Sequence, residues 1–385
     1  MEYIENIEIK NKRVILRCDL NVTIKNNNII DDTKIIKSVK TINYLLDKNN
    51  SIIIMSHLGK VKSEEDKTKH TLYPVYLRFK ELINANIYFS KNTKGDELEN
   101  IVNNLKPREI LIMENTRHED YPEKLESTSN DELSKYWASL GEFYINDAFG
   151  SSHRKHASTY GIKKYIPSAY GFLINEEVTK LNELINNPEK PFTVIMGGAK
   201  VEDKLKLIKE MLKNCDKLIV GGGIANTFLY AMGYNVGTSL VSLENIEEIK
   251  ELIINYKDKI VVPIDSFVEN NGEKFYRKNN AIENNDIIYD IGEESIIKYK
   301  EIIESSKTIF INGTVGLYED DRFKNGTKKI FEILENSNTK VFVGGGDAVS
   351  ATNKLGFEKS FYFKSTGGGA TLEFIIDKTL KALED

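Results

Sequence analysis

Short apolar runs recur along this chain, each followed by a polar turn and then by a stretch in which apolar residues return every three or four positions. The runs are RVILR (13–17), SIIIMS (51–56), EILIM (109–113), EFYIN (142–146), FTVIM (192–196), KLIV (217–220), KIVVP (259–263), TIFI (308–311) and KVFV (340–343). Their length and β-branched content suit strands covered on both faces. Such strands alternating with helical patterns predict βαβ units and parallel sheets, and nine of them divide naturally into two sheets. In NEEVTKLNELINN (175–187), Val178, Leu181, Leu184 and Ile185 fall at helical spacing just before PEKP, which predicts a helix joining two domains. The expected class is α/β, with two doubly wound parallel-sheet domains on either side of that helix.

Composition excludes several classes of function. Of 385 residues, 40% are hydrophobic and 29% charged, and no apolar stretch reaches the roughly 18 residues of a membrane span. A net charge of -5 argues against sequence-independent nucleic-acid binding, which needs a basic surface. The two cysteines, Cys18 and Cys215, lie in different halves without a C-x-x-C partner, so neither a disulfide frame nor a zinc site is expected. The opening MEYIENIEIKNKR has neither the apolar core of a secretory signal nor the basic bias of a transit peptide, and the expected location is the cytoplasm.

The two halves differ in chemistry. Of 25 glycines, 5 lie before residue 171 and 20 from there on, whereas all five histidines precede residue 157. In the second half the glycines cluster after strands, in VIMGGAKVEDKL (194–205), LIVGGGIANTF (218–228), VFVGGGDAVSAT (341–352) and KSTGGGATLEF (364–374). A glycine turn between a strand and a helix exposes backbone N–H groups and a helix N-terminus, a phosphate cradle. Lys200 and Lys204, four apart, would share a helix face beside one such turn, although an isolated pair of this kind is ordinarily a solvated face. Asp347 at a helix start suits either capping or Mg²⁺ on a polyphosphate. No Walker A loop and no G-x-G-x-x-G fingerprint occurs. In the first half, polar groups close four successive strands: RCDLNV, SHLGK, ENTRHED and NDAFGSSHRKHAST. Such ends converge on one sheet edge, where Asp19, Asn21, His57, Lys60, Arg117, His153 and Arg154 would suit a small, highly anionic molecule.

With RCDLNV, MSHLGK, NDAFGSSHRKHAST, GGAKVEDKL, GGGIANTFL, NGTVGLYE, GGGDAVSA and STGGGATLE in this order, the chain resembles phosphoglycerate kinases over essentially its whole length. The resemblance implies a 3-phosphoglycerate-binding domain (1–171), an interdomain helix (172–187), a nucleotide-binding domain (188–363) and a C-terminal segment (364–385) returning to the first domain. It assigns the acid to Asp19, Leu20, Asn21, Lys34, His57, Leu58, Gly59, Lys60, Arg117 and Arg154. MgATP or MgADP falls to Gly198, Ala199, Lys200, Lys204, Gly222, Gly292, Asn312, Glu319, Gly345, Gly346, Asp347 and Ala348, with Asp347 toward the metal. Catalysis falls to Lys34, Lys200, Lys204, Gly346 and Gly369, and a monomer is implied. Because a carboxylate with a pKa near about 4 is already ionised, the implied transfer needs no general base. Lys34 and Lys60 stand where the family has arginine, and lysine lacks the planar multi-donor fork. Thr314, Glu293, Thr238 and Ala348 are milder departures. The implied activity is therefore a working kinase, the alternative being a kinase-derived binder of nucleotide or phospho-acid without efficient turnover.

Overall fold

The computed structural model describes residues 1–357 and 360–384. The chain forms two compact units, Met1–Thr179 with Thr379–Asp385, and Lys180–Lys378. The segment 364–378 thus clusters with the second unit, and only the residues beyond Lys378 cluster with the first. The helix Phe172–Asn186 starts in one unit and ends in the other. No helix among the described residues is long and apolar enough to cross a membrane.

The first unit is built on β1 (Arg13–Cys18), the small hairpin β2 (Ile24–Lys25) and β3 (Asn28–Ile29), β4 (Ser51–Met55), β5 (Ile87–Ser90), β6 (Ile110–Met113), β7 (Phe143–Asp147) and β8 (Ser168–Tyr170). Its main sheet has the order β5-β6-β4-β1-β7-β8, and its pairs are parallel. Side chains alternate between two cores. Val14, Leu16, Ile52, Ile54, Ile110 and Ile112 pack on one face, while Ile15, Ile53, Met55, Leu111 and Met113 pack with Trp137 on the other. That double covering explains the near-continuous apolar runs. Register brings Arg17 level with Met55 and Asn146, so the ends of β1, β4 and β7 finish together.

The second unit contains β9 (Phe192–Met196), β10 (Lys217–Val220), β11 (Ile260–Val261), β12 (Asp265–Asn270), β13 (Glu273–Lys278), β14 (Ile287–Ile291), β15 (Thr308–Asn312), β16 (Lys340–Gly344) and β17 (Phe363–Lys364). Its parallel sheet runs β11-β10-β9-β15-β16-β17, and β13-β12-β14 form a separate antiparallel sheet. All nine expected strands are present, but nine is too few and two sheets are incomplete. The strands β5, β8 and β17 are edge strands of two to four residues whose identity comes from pairing. In both parallel sheets the chain starts at a central strand, winds to one side, then returns to wind the other way. The strands flanking that reversal are β1 and β7 in one unit and β9 and β15 in the other. Open α/β sheets bind ligands outside such switch points, at the carboxyl ends of the strands.

Candidate active site

At the end of β1, Asp19 is buried and its Oδ2 lies 2.9 Å from Lys34 Nζ, in the first turn of the helix Thr33–Asp47. Burial pushes the Asp19 pKa up, but Lys34 and His57 outweigh it and the carboxyl ends below its usual range. The Leu20 N–H donates to Ser56 Oγ at 2.9 Å, and Asn21 Oδ1 accepts the Gly59 N–H at 2.9 Å. The Leu58 N–H in turn donates to Asn115 Oδ1 at 3.0 Å. Leu20 and Leu58 are themselves buried, and Asn115 Nδ2 also donates to Leu58 O at 2.7 Å, so these contacts anchor the loops, and the two leucines serve packing. At Gly59, φ +60 and His70 at 2.6 Å from a built Cβ account for glycine by packing.

Arg117 is buried. Its Nη1 donates to Asp120 at 2.7 Å and Ser127 at 2.6 Å, while Nε has no hydrogen-bond partner. Arg154 is exposed, with Nε 2.9 Å from His153 Nε2. Burial, then Arg17, drives the His57 pKa well below the ordinary imidazole value. The same ring feels Asp19, Arg117 and Lys34, and His156, driven down to about 3 by burial, feels Arg117, Arg17 and Arg154. One region therefore collects Lys34, Arg17, Arg117 and Arg154 around histidines held neutral. It is suited to a small polyanion. Lys60 is exposed. Arg17, which lies beside His57 in this region, is absent from the expected set, although a charge inside the otherwise apolar RVILRC marks it.

In the second unit a cavity of about 100 Å³ is lined by Lys204, Asn312, Gly313, Gly345, Gly346, Asp347, Gly368, Gly369 and Leu372. Two helices begin there, Gly346–Lys354 and Gly369–Asp377, each after a glycine that offers no side-chain cap. Their first N–H groups carry a partial positive charge toward any anion at the cavity. The Lys204 ammonium donates to the Gly197 carbonyl at 2.6 Å, and burial lowers its pKa to about 8 against the opposing pull of Asp347 and Asp203. Asn312 Nδ2 donates to Gly344 O at 2.8 Å, leaving Oδ1 buried without a hydrogen-bond partner.

The expectation that Lys200 and Lys204 share a helix face is not met. The helix starts at Leu205, Lys204 is its N-cap, and Lys200 is exposed in the preceding turn. Asp347 is the second residue of its helix, and the N-cap position is Gly345. Gly198, Ala199, Lys200, Gly222, Gly292, Glu319 and Ala348 do not line the cavity. Ala348 is buried and Glu319 exposed. Gly292 precedes the helix Glu293–Ser305, where a Cβ would come within 2.3 Å of the Asp265 carboxylate.

The glycine clusters separate into two kinds. A Cβ on Gly197 would stand 2.0 Å from Thr314 O, one on Gly223 2.0 Å from Ala199 O, and one on Gly222 2.9 Å from Gly198 O. There the close approach is by neighbouring backbone. At Gly346, Gly368 and Gly369 a Cβ would meet nothing within 4 Å. Those positions are the ones left open for a ligand. A larger cavity of about 490 Å³ lies in the first unit between the β2–β3 hairpin and the helix Tyr73–Leu82, but no expected site residue lines it. Its Arg78 is already paired with Asp32 and Glu81. Size does not mark the site here.

The family model described as phosphoglycerate kinase matches residues 4–378. The chain belongs to the phosphoglycerate kinase family. The phosphoglycerate kinase of Fusobacterium nucleatum is 41% identical over 99% of this chain and 98% of its own length, and that of Enterococcus faecalis 40% over 99% and 97%. Among solved structures, phosphoglycerate kinase from Coxiella burnetii superposes with a TM-score of 0.86 at 32% identity, covering 99% of this chain and 97% of its own. The Pyrococcus horikoshii enzyme gives 0.85 at 28%, covering 100% and 98%. Membership makes the protein a phosphotransferase, and the two anion-suited regions, each at a switch point, are what a phosphoglycerate kinase needs.

Proposed function

We propose that this protein transfers a phosphoryl group reversibly between ATP and the carboxylate of 3-phosphoglycerate. In this reading the acid is held by Asp19, Asn21, Lys34, His57, Arg117 and Arg154, and the nucleotide phosphates by Lys204 with the N-termini at Gly346 and Gly369. The observation that carries it is the pair of open glycine N-termini at a cavity shared with the half-buried Lys204 in the second unit. Asn312 lines the same cavity, Gly222 packs against the backbone of Gly198 and Thr314, and Gly292 packs against the Asp265 carboxylate. Lys200, exposed in the turn before Lys204, is free to reach bound phosphate. Asp347 fits a magnesium ion that arrives with the polyphosphate, since a lone carboxylate cannot complete a coordination shell. That ion would neutralise charge on the transferring phosphate.

No residue is needed to deprotonate the acceptor, because the acid is ionised at neutral pH. Histidines held neutral donate hydrogen bonds without taking protons. Lys204 and the glycine amides stabilise charge on the equatorial oxygens, and Lys34 is a cation for the acid. The reading includes a monomer in the cytoplasm, and neither nucleic acid nor membrane as partner. A coupled assay with 3-phosphoglycerate and MgATP tests the reaction. Steady turnover is expected, and a rate at background would leave only a ligand-binding role. Sedimentation velocity checks the monomer.

A further inference from the structure

The geometry points to a buried relay, Glu126 to Ser158 to Arg17 to His57, that fixes His57 as the neutral tautomer with its proton on Nε2. The Ser158 hydroxyl donates to Glu126 Oε1 at 2.5 Å, and the Ser158 N–H to Oε2 at 2.9 Å. That hydroxyl accepts Arg17 Nε at 2.8 Å. Arg17 Nη1 is held by the Cys18 carbonyl, and Nη2 lies 3.2 Å from His57 Nδ1. A guanidinium can only donate, so Nδ1 must accept and the ring proton must sit on Nε2. Glu126, Ser158 and Arg17 are 0% exposed, which leaves the fork no water to lean on and no room to turn. The charges facing His57 are Arg17 and Asp19 from the first strand and its end, Lys34 from the following helix, and Arg117 from the turn after β6. Three cations against one carboxylate oppose a second proton on the ring. Glu126 and Ser158 are thus positioning residues, and the outward Nε2–H is a fixed donor for a phosphate or carboxylate oxygen. This last step rests on the proposed placement of the acid at His57.

The test uses the full chain with ¹⁵N-labelled histidine. Long-range ¹H–¹⁵N spectra are recorded without ligand between pH 6 and 8, the His57 signals being those lost in His57→Gln. The expected pattern is an unprotonated Nδ1 and a protonated Nε2 throughout. In Ser158→Ala, Arg17 loses the partner of its Nε and only Nη1 stays anchored, so the two tautomers mix and KM for 3-phosphoglycerate rises about tenfold, the worth of one hydrogen bond to a charged group, with kcat little changed. Ser158→Thr, which keeps the hydroxyl, restores both readouts. A protonated Nδ1 in the unaltered chain overturns the relay without any variant, as does a Ser158→Ala spectrum identical to the parent. An intact tautomer signature with no effect of His57→Gln on KM would instead sink the placement of the acid and leave the relay standing.

Discussion

Replacing single glycines by alanine distinguishes the two kinds of glycine turn, and the expected sizes come from the atoms each new Cβ would touch. Gly222 has φ +60, and its Cβ would meet Gly198 O at 2.9 Å and Thr314 O at 3.2 Å. The left-handed conformation costs alanine about 1–2 kcal/mol, and crowding backbone carbonyls that are tied into the crossing adds about 1–2 more. Gly222→Ala should therefore destabilise the second unit by about 2–4 kcal/mol, lowering its Tm by roughly 10 °C. Its KM for MgATP should stay within about threefold of the parent, because the change removes no proposed ligand contact. At Gly346 the Cβ meets nothing within 4 Å, and the residue opens a helix, where alanine is no worse than glycine. Gly346→Ala should leave Tm unchanged or slightly higher while raising KM for MgATP about tenfold or more, since the methyl stands where phosphate oxygens must reach the amide. Differential scanning calorimetry and the coupled assay read the two effects independently. Were Gly346→Ala to melt early and still bind MgATP normally, the division between packing and ligand glycines would be wrong.

Three further outcomes are expected. Lys204→Met should lower kcat about a hundred- to a thousandfold with little loss of Tm, the typical cost of one charge contact made in the transition state. Lys204 also sets a pH dependence of opposite sign for stability and activity. With its folded pKa at about 8, below the ordinary lysine value, the unfolded chain binds more protons between those two values, so this group makes the ligand-free protein more stable as pH rises through that window, while kcat/KM falls. Thermal melts and rates across that range check both, and Lys204→Met should remove the stability slope. Asp290 is buried with its pKa raised to about 7 and accepts the Gly326 N–H at 2.7 Å. Here the folded state binds the extra proton, so stability is favoured at acid pH and falls as pH rises toward 7. Asp290→Asn should flatten that slope in urea titrations.

The strands buried on both faces are the most legible part of the chain, because a two-sided core forces an uninterrupted apolar run that needs no partner to be recognised. The motif residues at their ends are legible for a related reason: a parallel sheet puts all its carboxyl ends on one edge, so Asp19, His57 and Arg117 must be neighbours once their strands are. The antiparallel sheet, absent from the expected elements, does leave a local signal. Asn271 and Gly272 take φ 52 and 85 between β12 and β13, the paired positive values that an Asn-Gly hairpin requires.

What the pattern of residue types determined by itself was the α/β class, the two-unit organisation and the contrast between a charged half and a glycine-rich half. Each of these is written in local spacing or in counts. What the tertiary structure decided was which glycines face a ligand and which face another backbone, where the lysine helix begins, and how Arg17 is held. Identical Gly-Gly-Gly strings gave no hint of the difference between 221–223 and 344–346. The room beside a Cα is set by segments distant in the chain, here Ala199 and Thr314 in one case and open space at Gly346 in the other. Likewise, sequence places Lys204 beside a glycine turn but does not show that its ammonium is half-buried, which follows because β9 and β15 pair and bring Gly313 beside it. Distances between remote segments are a property of the packed chain, and local spacing carries no record of them.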